Sequence, residues 1–315
     1  MHPEPSPGDF RVASRGLLGD SSSSMTEVRR FLRTHLILAR ASNLPTVWSN
    51  CVAGWLLGGG GLWTDLGALF AGATLLYTGG MYLNDAFDAQ FDRQHRPERP
   101  IPRGWIRPEA VWAFGFTLLG SGVLCLFLFS TVTMIFALLL SLFILIYDIV
   151  HKMFALSPVI MAGCRTLLIL TAASTGVHGI DGGRINHSVW SALALGLYVV
   201  GLSFLARRES LASSLQYWPC IFLAGPLVLA FIVNQPFNML RSAIVSAMIT
   251  LWMLRCLWFA YWSPHRNIGL AVAGLLAGIP LIDLLSVWTG SPLVGLTFAA
   301  FFGLALLFQR FIPAT

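Results

Sequence analysis

About ten stretches of this chain are each long and apolar enough to cross a lipid bilayer, and that repetition leaves few folds open. A helix needs about 20 consecutive, mainly apolar residues to cross the hydrocarbon core. No water is available there for backbone N–H and C=O groups, so a spanning segment must close its own hydrogen bonds. Hydropathy predicts helices near 36–58, 65–88, 109–129, 132–150, 155–176, 188–206, 217–234, 239–260, 267–288 and 292–311. The last four are joined by very short connections and two of them can form a re-entrant pair, so the expected count is nine or ten. The fold class is all-α integral membrane.

Composition and charge support this. Charged residues make up 11% of the chain and hydrophobic ones 56%, against about 25% charged in soluble domains. The net charge of +6 does not mark a nucleic-acid patch, because the basic residues lie in short segments between apolar spans. With the N-terminus in the cytoplasm, all 20 basic residues except Arg165, Arg184 and Arg241 fall on the cytoplasmic side, as the positive-inside rule requires. A multi-pass protein of a bacterial cell membrane is expected. Cys51, Cys125, Cys164, Cys220 and Cys256 sit inside apolar stretches and read as small buried hydrophobes. Residues 1–24 are rich in Pro, Ser and Gly and are expected to form a disordered cytoplasmic tail, with 25–315 as one polytopic domain.

Chemistry concentrates where the second span meets water. Asp85, Asp88 and Asp92 are spaced i, i+3, i+7 and share one helical face, bordered by Asn84. Aligned carboxylates repel unless a cation lies between them, and Mg²⁺ held by carboxylates commonly fills its remaining positions with phosphate oxygens. The segment 93–104 contains three prolines and is expected to be an extended loop. From it Arg96, Arg99 and Arg103 can turn inward onto phosphate. The helix polarity also brings Tyr147, Asp148 and Lys152, and then Arg207, Arg208 and Glu209, to the same membrane face. Lys152 is the single lysine of the chain.

Asn-Asp-x-x-Asp-x-x-x-Asp at 84–92, followed by Arg-Pro-Ile-Pro at 99–102, resembles the first aspartate motif of the UbiA family of intramembrane prenyltransferases. Tyr147 to Lys152 is similar to that family's Tyr/Lys motif, with four intervening residues rather than the commoner three. Arg40 and Asn43 resemble its cavity-facing first-helix residues. The resemblance implies a helical bundle around a central cavity and a Mg²⁺-bound isoprenyl diphosphate whose prenyl group is transferred to an aromatic or other lipophilic acceptor. It also implies that Tyr147 and Lys152 serve as donors to the leaving diphosphate. One departure stands out. Where the family carries two aspartates four apart at the end of its sixth helix, this chain reads Ala206-Arg207-Arg208-Glu209. Arg207 and Arg208 are therefore expected to bind diphosphate directly, with Glu209 the one remaining candidate metal ligand there.

Arg165 lies about ten residues into the fifth span, roughly 15 Å along it. A guanidinium at that depth must face the interior and have a partner, so a substrate or cavity contact is expected. Asp283 reads as a structural residue. The alternative function is a non-catalytic relative that carries a prenyl diphosphate or phospholipid, or assists assembly. A solute transporter lacks a path of buried charges. A cytidine-linked lipid phosphotransferase also needs clustered aspartates, but the Asp-Gly and Ala-Arg elements of that family's motif are missing around Asp85, Asp88 and Asp92.

Overall fold

The computed structural model describes residues 27–180, 185–211, 216–233, 239–287 and 291–312. The predicted tail lies outside the described residues. Among the described residues all regular structure is helical. α1 covers residues 27–38, and a 3-10 turn follows at Ala41–Asn43. The bundle proper comprises α2 (Leu44–Leu57), α3 (Trp63–Phe87), α4 (Ala89–His95), α5 (Pro108–Phe127), α6 (Thr131–Val150) and α7 (Ser157–Ser174). It continues through α8 (Ile185–Leu211), α9 (Pro219–Leu223), α10 (Gly225–Val233), α11 (Met239–Tyr261), α12 (Ile268–Ala277), α13 (Ile279–Val287) and α14 (Pro292–Gln309).

Among the described residues eight helices are long and apolar enough to span a membrane, against the nine or ten expected. The expected segments near 36–58, 217–234 and 267–288 are each interrupted, and each break has a proline just downstream. Proline cannot donate to the carbonyl four residues back and clashes with it. Pro45, Pro226 and Pro280 act in this way on the carbonyls of Ala41, Phe222 and Leu276. The first segment therefore turns through a left-handed Arg40 (φ 42°) before α2 begins, and α9 gives way to α10. The third break still leaves Ile268–Val287 as one span. Pro45, Pro108, Pro158, Pro219 and Pro292 each sit in the first turn of a helix, where the missing N–H costs nothing.

Neighbouring helices close a circuit, with α3 on α5, α5 on α6, α6 on α7, α7 on α8, α8 on α9, α10 and α12, α13 on α14, and α14 back on α2. The short α2 also packs on α3, α7 and α13 and is buried along most of its length. Small residues allow this density. A Cβ on Gly58, at the end of α2, would lie 2.1 Å from the Ala173 carbonyl oxygen, so the backbones of α2 and α7 touch there. Large apolar side chains such as Phe116, Leu124, Leu142, Leu251 and Leu296 face outward, as lipid-facing surfaces do.

Candidate functional site

The carboxylate ladder forms because the helix does not stop at the end of α3. Asp88 joins α3 to α4 with helical backbone angles (φ −80°, ψ −6°). The Asp88 N–H donates to the Asn84 carbonyl and the Asp92 N–H to that of Asp88, both at 2.9 Å. The three aspartates thus keep one face and are all buried, at 3%, 5% and 1% exposure. Segment 96–105 is wound into successive turns rather than extended. Arg99 N–H bonds Arg96, Arg103 N–H bonds Arg99, and Trp105 N–H bonds Pro100. Prolines that forbid a helix also fix φ near the value a turn needs.

Those turns aim Arg99 back at the ladder. Its Nη1 lies 2.7 Å from Asp85 Oδ1 and 3.7 Å from Asp92 Oδ2. Arg40, beside the left-handed break, puts Nη2 3.5 Å from Asp85 Oδ1 and donates to Asn84 Oδ1 at 2.8 Å. Asn84 Nδ2 then donates to Asp148 Oδ1 at 3.0 Å. From the end of α6, Lys152 Nζ reaches Asp88 Oδ1 at 2.7 Å and lies 3.8 Å over the Phe91 ring. His151 Nε2 lies 3.3 Å from the same oxygen. Burial alone would raise the Asp88 pKa, but the bonds from His151 and Lys152 outweigh it and hold it below the ordinary value. Asp92 moves the other way: burial, aided by the charges of Asp88 and Asp85, raises it against the opposing pull of Arg99. Its Oδ1 is buried with no hydrogen-bond partner.

The structure thus gathers Arg40, Asn84, Asp85, Asp88, Asp92, Arg99 and Lys152, all expected from the sequence. Tyr147 stacks on His151 at 5.1 Å between ring centroids. Arg96 caps α4, and its charge acts on Asp92. Asn43 is buried, and its N–H bonds the Arg40 carbonyl at 3.0 Å. Arg103 turns outward over the Trp105 ring at 5.0 Å. Arg207 reaches the turn that follows Lys152, where it donates to the carbonyls of Phe154 and Ala155 and to Ser157 Oγ at 2.6, 3.2 and 3.0 Å. The backbones of Arg208 and Glu209 end α8, and their side chains lie outside the described residues.

Arg165 belongs to a second, separate network. It donates to Asn50 Oδ1 at 2.7 Å and Thr46 Oγ1 at 3.0 Å. Asn50 Nδ2 in turn donates to both oxygens of Asp283, and Ser49 Oγ donates to Asp283 Oδ2 at 2.5 Å. Arg165 and Asp283 thus satisfy each other through α2, and Arg165 touches none of Asp85, Asp88 and Asp92. Sequence reasoning gave no role to His151 or to the α2 polar residues. Thr46, Ser49 and Asn50 on one buried helix were a readable sign that a charge elsewhere needed them.

The ladder's chemistry can be weighed for a metal. Among the described residues no three His, Cys, Asp or Glu side chains already converge on one point, because Asp85 and Asp88 are turned toward cations. The hard oxygen donors and the unpartnered Asp92 Oδ1 nevertheless suit Mg²⁺.

Comparison with known proteins agrees with this geometry. The family model "UbiA prenyltransferase family" matches residues 43–291. Digeranylgeranylglyceryl phosphate synthase of Methanopyrus kandleri is 37% identical over 94 residues, which is 29% of this chain and 34% of that protein. The synthase of the same name from Pyrococcus horikoshii is 33% identical over 125 residues, 39% of this chain and 42% of its own length. The chain therefore spans between about a third and a half of the length of the curated relatives it matches. A solved structure described as concerning digeranylgeranylglyceryl phosphate synthase in membranes superposes with a TM-score of 0.58 at 18% identity. It covers 88% of this chain and 99% of that one, and it shares the fold.

Proposed function

The chain belongs to the UbiA prenyltransferase family, and on that premise we propose that it transfers an isoprenyl group from a prenyl diphosphate to a lipophilic acceptor within the membrane. The observation that carries this reading is a buried carboxylate ladder neutralised by basic side chains. Asp85 and Asp88 are each held at 2.7 Å by one basic side chain, Arg99 and Lys152. Both cations are suited to phosphate oxygens. When the donor enters, Arg99 and Lys152 move onto the diphosphate, and Asp85, Asp88 and Asp92 become available to hold Mg²⁺. The ion, when bound, neutralises charge on the leaving diphosphate.

Chemistry then follows from charge and dryness. The allylic C1–O bond breaks with its electron pair going to the diphosphate oxygen. Arg40, Arg96, Arg99 and Lys152 stabilise that charge, and Tyr147 donates its hydroxyl proton in a hydrogen bond. Arg207 and Arg208 add fixed positive charge from the end of α8, with Glu209 beside them. The allyl cation is kept from water by the apolar bundle. An aromatic carbon attacks C1, and the released diphosphate takes the ring proton. The site mouth and N-terminus face the cytoplasm on this reading, as the arginine distribution suggests.

The names of the archaeal-type relatives favour a second acceptor class, a glyceryl phosphate already carrying one prenyl chain. Incubating the purified protein with Mg²⁺, labelled geranylgeranyl diphosphate and either a hydroxylated aromatic acid or a prenylglyceryl phosphate separates the two. Labelled lipid product identifies the acceptor. Donor binding without diphosphate release in either arm would leave a non-catalytic carrier and overturn the proposal.

A further inference from the structure

Ahead of the bundle, α1 presents three distinct faces. Thr34 and Leu38 are buried, and Leu38 packs with Tyr82, Ala86, Ile101 and Val111. His35 shares a 2.5 Å hydrogen bond with the Tyr82 hydroxyl. A second stripe, Val28, Leu32 and Leu36 at four-residue spacing with Phe31 alongside, is 45% to 63% exposed. Beside it runs a third, Arg29 and Arg33, with Arg30 beyond, all exposed. At 3.6 residues per turn the apolar and basic stripes are adjacent, which is the pattern of a helix lying in a membrane interface.

We propose that α1 is an in-plane membrane helix: its apolar stripe enters the acyl boundary, and Arg29, Arg30 and Arg33 bind anionic phospholipid headgroups. Continuity selects this occupant. His35 lies 5.9 Å from the ring of Phe114. Phe114 is itself exposed on α5. The open stripe of α1 thus runs on into a face that lipid must cover. The level also fits, since α1 rests on the last turns of α3 and the first turns of α5. The left-handed Arg40 breaks the chain between α1 and α2, so α1 does not extend the α2 span. Three arginines beside an apolar stripe match anionic headgroups in charge. The proposal rests on the membrane fold and holds whatever reaction the site performs.

The test uses the full chain in vesicles of phosphatidylcholine with a minor share of phosphatidylglycerol. A benzophenone amino acid at Phe31 or Leu32 is photolysed, and the adducts are identified by mass spectrometry. Lipid adducts are expected, with phosphatidylglycerol several-fold above its bulk share. Each arginine near an anionic surface contributes roughly fivefold to partition. In R29Q/R30Q/R33Q, whose thermal unfolding should match the parent, the phosphatidylglycerol share should fall to the bulk value. Single R29Q and R33Q variants serve if the triple variant is unstable. Adducts to residues 1–26, to a second copy or to another protein, or no adduct, would overturn the lipid face. An unchanged phosphatidylglycerol share would overturn the headgroup role.

Discussion

Replacing Arg99 with Gln should move metal affinity and donor affinity in opposite directions. Arg99 is 15% exposed and sits 2.7 Å from Asp85, which is 4% exposed, with Asp92 at 3.7 Å. A charge-assisted bond of this kind is worth about 1.5–3 kcal/mol, or roughly 10- to 150-fold in an equilibrium constant. A divalent ion arriving without diphosphate must displace the guanidinium from Asp85. In R99Q that cost disappears, so binding of Mn²⁺ alone should strengthen, by up to about that factor. A non-reactive prenyl thiodiphosphate loses one of its charged donors, so its affinity should weaken by a comparable factor.

Free Mn²⁺ can be followed by electron paramagnetic resonance and the analogue by calorimetry, both on the protein in nanodiscs. The expected outcome is tighter metal and weaker analogue in one variant. If both affinities fall together, Arg99 is only a structural brace. If neither moves, the exchange of ion pairs proposed for the site is wrong.

Three further outcomes follow from the same geometry. The lowered pKa of Asp88 means its pairing stabilises the fold fully above the ordinary aspartate value of about 3.9 and is lost as pH falls through the lowered folded value. Lys152→Met should therefore flatten the acid limb of a melting-temperature profile, and an unchanged limb would discount the pairing. Asp283→Ala strips Ser49 and Asn50 of their acceptor and should cost about 2–6 kcal/mol, at about 1–3 for each donor left unpaired, read as a lower melting temperature. Asp283→Asn should cost less, and analogue affinity should hold in both. Arg207→Ala removes three bonds to the turn after Lys152 and should raise KM for the donor more than it lowers kcat.

The ladder was legible because three acids at helical spacing have few uses at the end of an apolar span, and Arg99 followed from its place in a proline-rich return. The breaks before Pro45 and Pro280 escaped a hydropathy window because averaging over about 20 residues hides a single missing N–H. The winding of 96–105 escaped because prolines at 97, 100 and 102 exclude a helix without saying what replaces it. Arg165 was correctly placed in the interior, yet its partner was out of reach. Asp283 lies over 100 residues away in sequence, and the bond passes through Asn50 on α2. Pairing through an intermediary leaves no spacing to read.

The ending of α8 can be weighed by charge. In the pattern this chain resembles, a second acidic pair balances a second divalent ion, so acids and metal together contribute nothing net. Arg207, Arg208 and Glu209 contribute one positive unit with no metal. By sequence the two arrangements differ by one positive unit, and only the first demands a second ion. At the ladder Asp85, Asp88 and Asp92 face Arg40, Arg99 and Lys152, a balanced set that on the proposed function would take one divalent ion as the basic side chains move to phosphate. The protein should therefore bind one Mn²⁺ per donor analogue at saturation, counted by inductively coupled plasma analysis after desalting with the analogue bound. A ratio of two would show that Glu209 and its neighbours still assemble a metal site, and the arginines would then need another explanation.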